Sequence, residues 1–193
     1  MKEQDFYLTI AQTSVEEFKD KGSRFIAYAF PLQSKDAVKK ILLELKKEHV
    51  KAVHHCFAYR IGIDGNNFRV SDDGEPSGSA GKPILNQIDS KQLTNILVVV
   101  VRYFGGTLLG VPGLINAYKT ATSLALQTIP FVQKAIEVNY ELQFDYTQMN
   151  EVMKICKKHP IQIVNQVIDN LCTYELTYPS RHAAEIDASL DNL

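Results

Sequence analysis

The spacing of apolar residues in the first part of the chain predicts several strands and two helices. An apolar run from Ile96 to Val101 predicts a strand over residues 95–104 that is buried on both faces. Apolar side chains recur at helical spacing over residues 37–45, behind a predicted N-cap at Ser34, and again over residues 114–125. Further strands are predicted at residues 23–32, 54–61 and 68–70, followed by a loop over residues 71–83 in which a helix starts near Ser77.

The pattern changes after Pro130, where we place a domain boundary between residues 1–130 and 131–193. Apolar and polar residues alternate strictly from Val138 to Phe144, which predicts a strand with one buried face. Asp145 is predicted to cap a helix that stops at Pro160. Two strands, at residues 161–168 and 171–178, and a helix over residues 183–190 complete the chain. The resulting β-α-β-β-α order predicts a ferredoxin-like sheet with helices on one face.

Composition and charge narrow the class of protein. The 193 residues carry a net charge of −1, so the whole chain has no electrostatic attraction to nucleic acid or membranes. Residues 1–130 hold 16 lysines and arginines against 13 acids, whereas residues 131–193 hold 5 against 9. Three widely spaced cysteines and the lack of an apolar signal core indicate a reducing compartment. We therefore expect a cytoplasmic protein with no membrane-spanning segment.

The first candidate site follows the buried strand that ends near Arg102. A glycine-rich turn between this strand and the next helix can expose several backbone N–H groups, which bind anions beside a helix N-terminus. Its glycines are Gly105, Gly106 and Gly110. Arg102 would add a two-pronged donor for phosphate or carboxylate. The alternative is a tight structural turn in which Arg102 pairs with an internal acid such as Asp72 or Asp73.

The second candidate is the loop around Asp72, Asp73 and Glu75. Their carboxylates could hold Mg²⁺ through water, or serve acid–base catalysis with His54. The alternative is a solvated turn, because Asp, Gly, Pro and Ser are turn residues. His54 and Cys56 share a strand face but supply only two zinc ligands, and no nucleophile motif is present. We therefore predict no catalytic residue, no metal and no cofactor.

Four motifs taken together resemble those of the YigZ/IMPACT family. They are Lys21-Gly-Ser-Arg-Phe25, His54-His-Cys-Phe-Ala-Tyr-Arg60, Asp72-Asp-Gly-Glu-Pro-Ser-Gly-Ser-Ala-Gly81, and Val101-Arg-Tyr-Phe-Gly-Gly106 with Leu109-Gly110. The resemblance covers residues 1–130, and residues 131–193 are similar to a late domain of elongation factor G. It implies an α+β protein with an N-terminal βαβ-containing sandwich like those of ribosomal proteins, followed by a ferredoxin-like domain.

The resemblance also implies a function connected with translation. Eukaryotic relatives regulate translation under amino-acid stress by competing for an activator of a starvation kinase. They carry an additional N-terminal domain that this sequence lacks, so we do not expect that partner here. We expect a non-catalytic regulatory protein that binds RNA, the ribosome or a translation factor. The alternative is an enzyme or binder for a phosphorylated small molecule or nucleotide at the Arg102 and Asp72–Asp73 loops. The predicted ligand-binding residues are Arg24, His54, Arg60, Asp72, Asp73, Glu75, Ser77, Ser79, Arg102, Gly105, Gly106 and Gly110.

One segment departs from the family pattern. The family often has Gly-x-Gly-Gly-Leu followed by an arginine, whereas this chain has Gly110-Val-Pro-Gly-Leu114 with Asn116 at the position where the arginine is common. Pro112 removes an N–H donor and Asn116 removes a charge, and both changes weaken an anion site. Arg102, Arg24 and Arg60 remain as the candidate cations.

Overall fold

The computed structural model describes residues 5–193, which contain ten strands and five helices in two compact units. The larger unit is Leu8–Gln133, and the smaller comprises Lys134–Leu193 with the segment that ends at Tyr7. The strands are β1 (Phe6–Ile10), β2 (Ser14–Asp20), β3 (Ser23–Pro31), β4 (His54–Arg60), β5 (Phe68–Ser71), β6 (Ile96–Tyr103), β7 (Phe131–Ala135), β8 (Glu137–Asp145), β9 (Gln162–Val167) and β10 (Leu171–Pro179). The helices are α1 (Lys35–Glu48), α2 (Gly81–Ser90), α3 (Gly110–Gln127), α4 (Met149–Lys158) and α5 (Ala183–Leu190).

The larger unit is built on a five-stranded sheet with the order β2-β3-β6-β4-β5, in which every neighbouring pair is antiparallel. Strands β3 and β4 both pair with β6, so they run parallel to each other with β6 between them. Helix α1 connects β3 to β4, and this arrangement is a split βαβ unit. The predicted continuous strand is thus the centre of the sheet, and Ile96 to Arg102 are all buried.

Both faces of this sheet are covered, which explains the unbroken apolar run in β6. Even-numbered β6 residues such as Val98 and Val100 pack with Phe25, Cys56 and Tyr118 on the face beneath α2 and α3. Odd-numbered β6 residues pack with side chains of α1 on the opposite face. Because successive strand residues point to opposite faces, Arg102 belongs to the α2–α3 side.

The smaller unit contains a three-stranded sheet with the order β8-β10-β9, again with antiparallel neighbours. Its core joins one face of the sheet to α4 and α5 through Phe144, Tyr174, Val152 and Ile186. Strands β8 and β9 flank the later β10, so this unit repeats the split βαβ design. The predicted α+β fold class is confirmed.

Several local predictions need correction. Ser34 stands at the N-cap of α1 without a capping side-chain bond, and Asp145 caps a short 3-10 turn that leads into α4. The helix expected near Ser77 begins at Gly81. Strands β1, β2 and β7 were not predicted, and β1 and β7 form a separate two-stranded sheet. Within residues 5–193, no helix is both long and apolar enough to cross a membrane.

Candidate functional site

The structure brings the Arg102 turn and the 72–80 loop together at one end of β6. Arg102 Nη1 donates to Glu75 Oε1 at 2.6 Å, and the two side chains are only 6% and 4% exposed. The partner of Arg102 is therefore Glu75 and not Asp72 or Asp73, the two acids that the sequence favoured. This pairing neutralises the arginine inside the protein.

The guanidinium of Arg102 lies between two aromatic rings. Its Cζ atom is 5.4 Å from the ring centroid of Phe25 and 5.7 Å from that of Phe104. Nη2 lies 3.5 Å from Ser23 Oγ, and the buried Nε has no hydrogen-bond partner among the described residues. Arg102 is thus fixed by packing as well as by its ion pair, and it retains one unused N–H donor.

Two further buried residues extend this polar cluster, and neither was among the predicted ligand-binding residues. The Tyr118 hydroxyl donates to Glu75 Oε1 at 2.8 Å. The Cys56 sulfur lies 3.3 Å from Tyr118 OH and 3.0 Å from the Asp72 carbonyl, and its single S–H can donate to either oxygen. Burial raises the pKa of both the Tyr118 hydroxyl and the Cys56 thiol far above their ordinary values. Both groups therefore remain protonated near neutral pH.

Asp72 holds the loop in shape. Its carboxylate accepts backbone N–H bonds from Gly78 at 2.9 Å, Ala80 at 3.0 Å and Gly81 at 2.8 Å. Burial alone would raise the pKa of Asp72, but these three donors outweigh it and the net pKa is lowered. Asp72 therefore acts as a remote cap for α2 instead of a free ligand.

Asp73 and His54 connect the same loop to β4. Asp73 Oδ2 accepts the backbone N–H of His55 at 2.7 Å, while its carbonyl lies 2.7 Å from His54 Nδ1. A carbonyl can only accept, so Nδ1 carries the proton and His54 Nε2 faces Glu75 Oε2 at 3.9 Å. Among the described residues, no group of three or more His, Cys, Asp or Glu side chains is arranged to hold a metal ion.

The remaining predicted loop residues have different surroundings. Ser79 is buried and donates to the Pro76 carbonyl at 2.6 Å, whereas Ser77 is exposed. A Cβ on Gly105 would lie 1.9 Å from the backbone carbon of Gly22, so only glycine fits where these two backbones meet. Gly106 and Gly110 are exposed and have positive φ angles, of 88° and 72°.

Arg24 and Arg60 do not join Arg102. Arg24 lies on the opposite face of the sheet, where its Nη2 donates to Glu17 Oε2 at 2.6 Å. Arg60 is at the far end of β4, roughly 20 Å along the strand from His54. Its Nε donates to Asp89 Oδ1 at 2.8 Å. All three candidate cations are thus paired with carboxylates, and they do not form one positive surface.

A groove opens above the Arg102–Glu75 pair. It has a volume of about 240 Å³, and Pro76, Leu108, Leu109, Val111 and Leu114 line it with the two charged residues. Leu108 is 83% exposed and Val111 is 46% exposed, so they form the rim while the buried ion pair forms the base. Phe104 and Ile115 are further exposed apolar side chains at the β6–α3 junction. The groove combines apolar walls with a neutral polar base.

Comparison with known proteins identifies the family. The Impact N-terminal domain matches residues 21–126, which include the whole groove and both loops. A Haemophilus influenzae protein described as an IMPACT family member is 38% identical over 83% of this chain and 79% of its own length. This chain belongs to the IMPACT family. Escherichia coli YigZ, another member, is 35% identical over 92% of this chain and 87% of its own.

A solved structure extends the similarity to both units. The crystal structure of a hypothetical protein has a TM-score of 0.80 and 32% sequence identity, and the alignment covers 98% of this chain and 93% of the other. This IMPACT family member therefore shares its fold with that protein along nearly its whole length. The similarity identifies the architecture, and it names no ligand for the groove.

Proposed function

We propose that this chain is a non-catalytic regulatory protein that binds a protein component of the translation apparatus at the groove above Arg102 and Glu75. The observation that carries the proposal is the exposed apolar rim of Leu108 and Val111 over a neutral base. Contiguous exposed apolar side chains are typical of protein–protein contact sites. The link to translation rests on membership of the IMPACT family, whose eukaryotic members regulate translation.

The charges favour a protein partner over RNA. Affinity for nucleic acid comes largely from exposed cations that neutralise phosphates. The three arginines that the sequence offered for this role each have a carboxylate partner, namely Glu17, Asp89 and Glu75. A leucine or aromatic side chain entering the groove would bury apolar surface without separating the Arg102–Glu75 pair. A ribosomal protein or translation factor is therefore the favoured partner.

The test is co-sedimentation of the full chain with purified E. coli ribosomes, chosen because a 35% identical relative occurs there. Deproteinised ribosomal RNA and purified translation factors are assayed in parallel across a salt series. We expect binding to intact ribosomes or to one factor, and a shallow dependence on salt. Leu108→Ser should weaken it at least tenfold, which corresponds to about 1.4 kcal/mol.

Leu43→Ser is the matched control, because Leu43 is 55% exposed on α1 and lies outside the groove. This variant should bind like the wild type. Equal binding by Leu108→Ser and wild type would remove the groove from the interface. Binding to naked RNA with a steep salt dependence would instead favour RNA as the partner and overturn the proposal.

A further inference from the structure

A second groove lies on the other face of the five-stranded sheet, beside α1. It has a volume of about 200 Å³ and runs between this helix and the edge strand β2. Its apolar wall is formed by Val15, Phe30 and Ile41, with the ring of Tyr28 beside them. A single helix covers this face, whereas two helices cover the other, and Val15 remains 49% exposed.

Two carboxylates border this groove without a lysine or arginine partner. Glu44 and Glu48 are one helical turn apart on α1, and like charges at this spacing destabilise a helix. Glu44 has no ion-pair partner within residues 5–193, and the carboxylate of Glu48 meets only the His49 ring, at 3.7 Å. Among the described residues, no lysine or arginine nitrogen lies within 4 Å of either carboxylate.

The aromatic side of the groove is held rigidly. The rings of Tyr28 and Phe30 stack with a centroid separation of 6.0 Å and an interplanar angle of 5°. The Tyr28 hydroxyl lies 2.7 Å from His49 Nε2, and His49 Nδ1 lies 2.8 Å from the Tyr103 hydroxyl. Burial, followed by the nearby Glu48 carboxylate, raises the pKa of Tyr28. Tyr28 is therefore a neutral, fixed ring beside a pair of anions.

We propose that the groove between α1 and β2 binds a lysine or arginine side chain of a protein partner. The alkyl part of such a side chain would pack on Val15 and Ile41, as long basic side chains do on apolar surfaces. Its cation would lie near Glu44 and Glu48, beside the Tyr28 and Phe30 rings, where carboxylates and aromatic faces both attract positive charge. Because these two carboxylates attract positive charge and repel phosphate groups, the occupant is a basic protein segment.

This proposal is independent of the function proposed for the groove above Arg102 and Glu75. The two grooves lie on opposite faces of the sheet and share no lining residue. Failure of ribosome or factor binding at one groove therefore says nothing about the other. Each can be removed separately by substitution of exposed side chains.

The test uses the peptide acetyl-Leu-Arg-Leu-amide and full-length ¹⁵N-labelled protein. The same peptide with citrulline in place of arginine keeps the shape and removes the charge. We expect saturable amide shifts at Val15, Tyr28 and Glu44, with a dissociation constant of about 1 mM for this single-side-chain probe. The citrulline peptide and the double variant Glu44→Gln/Glu48→Gln should each bind at least fivefold more weakly.

The matched control is Glu141→Gln/Glu175→Gln, which removes two exposed carboxylates that lie directly opposite each other in the sheet of the smaller unit. This control changes the net charge by the same amount as Glu44→Gln/Glu48→Gln, and it should leave the affinity for the arginine peptide unchanged. Equal affinity for the citrulline peptide, equal loss in both double variants, or no saturable shift along the groove would each overturn the proposal.

Discussion

Removal of Arg102 tests whether its ion pair with Glu75 is buried in the interior of the larger unit. In Arg102→Met the carboxylate of Glu75 stays in the interior with only the Tyr118 hydroxyl as a close donor. Both side chains of the native pair are less than one-tenth exposed. Breaking such a pair typically costs about 3–5 kcal/mol, because the remaining charge is left without compensation. We expect a loss of stability of that size.

A second substitution should restore part of this loss. In Arg102→Met/Glu75→Gln no buried charge remains, and the new amide oxygen can still accept from the Tyr118 hydroxyl. Replacing both charges of a buried pair is often close to neutral. We therefore expect the double variant to be about 2 kcal/mol more stable than Arg102→Met alone, which is non-additivity within the range for residues in contact.

Native-state amide hydrogen exchange is the suitable assay, because the protein has no tryptophan and contains two compact units. Exchange at Val98 and Val100 in β6 reports the free energy of opening the larger unit. Amides of Tyr174 and Leu176 in β10 serve as an internal reference, and their exchange should not change. A cost below about 1 kcal/mol for Arg102→Met, or simple additivity of the two substitutions, would refute a buried pair.

Three further predictions concern thiols, glycines and pH. Of the three cysteines only Cys156, which is half-buried, should react with a maleimide in the native protein, and all three should react in urea. Gly105→Ala should lower the midpoint of thermal unfolding far more than Gly106→Ala, where a Cβ meets no atom within 4 Å. Burial, opposed by a nearby aspartate, lowers the pKa of His55 below its ordinary value of 6.5, so the folded protein binds this proton less readily than the unfolded chain. The unfolded chain therefore takes up this proton first as the pH drops below 6.5, and the free energy of unfolding should fall. Urea titrations over this pH range should show a shallower fall for His55→Gln.

The elements that the sequence predicted well are those whose pattern follows from burial. Strand β6 is apolar from Ile96 to Val101 because it is covered on both faces, and β4 alternates between two cores. Strand β2 was missed because this edge strand carries polar residues at most of its positions. Helix α2 was placed too early because its N-terminus is capped by Asp72, nine residues before Gly81, and no local motif reports so distant a cap.

The candidate site was predicted in part. The two glycine-rich loops, around Arg102 and around Asp72, do lie together. Each stood out in the sequence because its residues depart from the pattern of an ordinary core strand or helix. The choice of partner could not be predicted, because Asp72 is occupied by backbone donors and only Glu75 reaches the arginine. Tyr118 has helical core spacing, and its hydroxyl becomes relevant only when α3 is packed on the sheet. Contacts between residues so far apart in sequence depend on the complete fold.

The position of β6 has a consequence for how the larger unit forms during synthesis. Strands β3 and β4 leave the ribosome before β6, yet each needs β6 as its hydrogen-bonded neighbour. A nascent chain that ends before Ile96 therefore has two strands with open edges and no centre to join them. The smaller unit has the same order of events, because β10 completes its sheet after β8 and β9. In both the five-stranded and the three-stranded sheet, the last strand to be made is the one that pairs with two earlier strands.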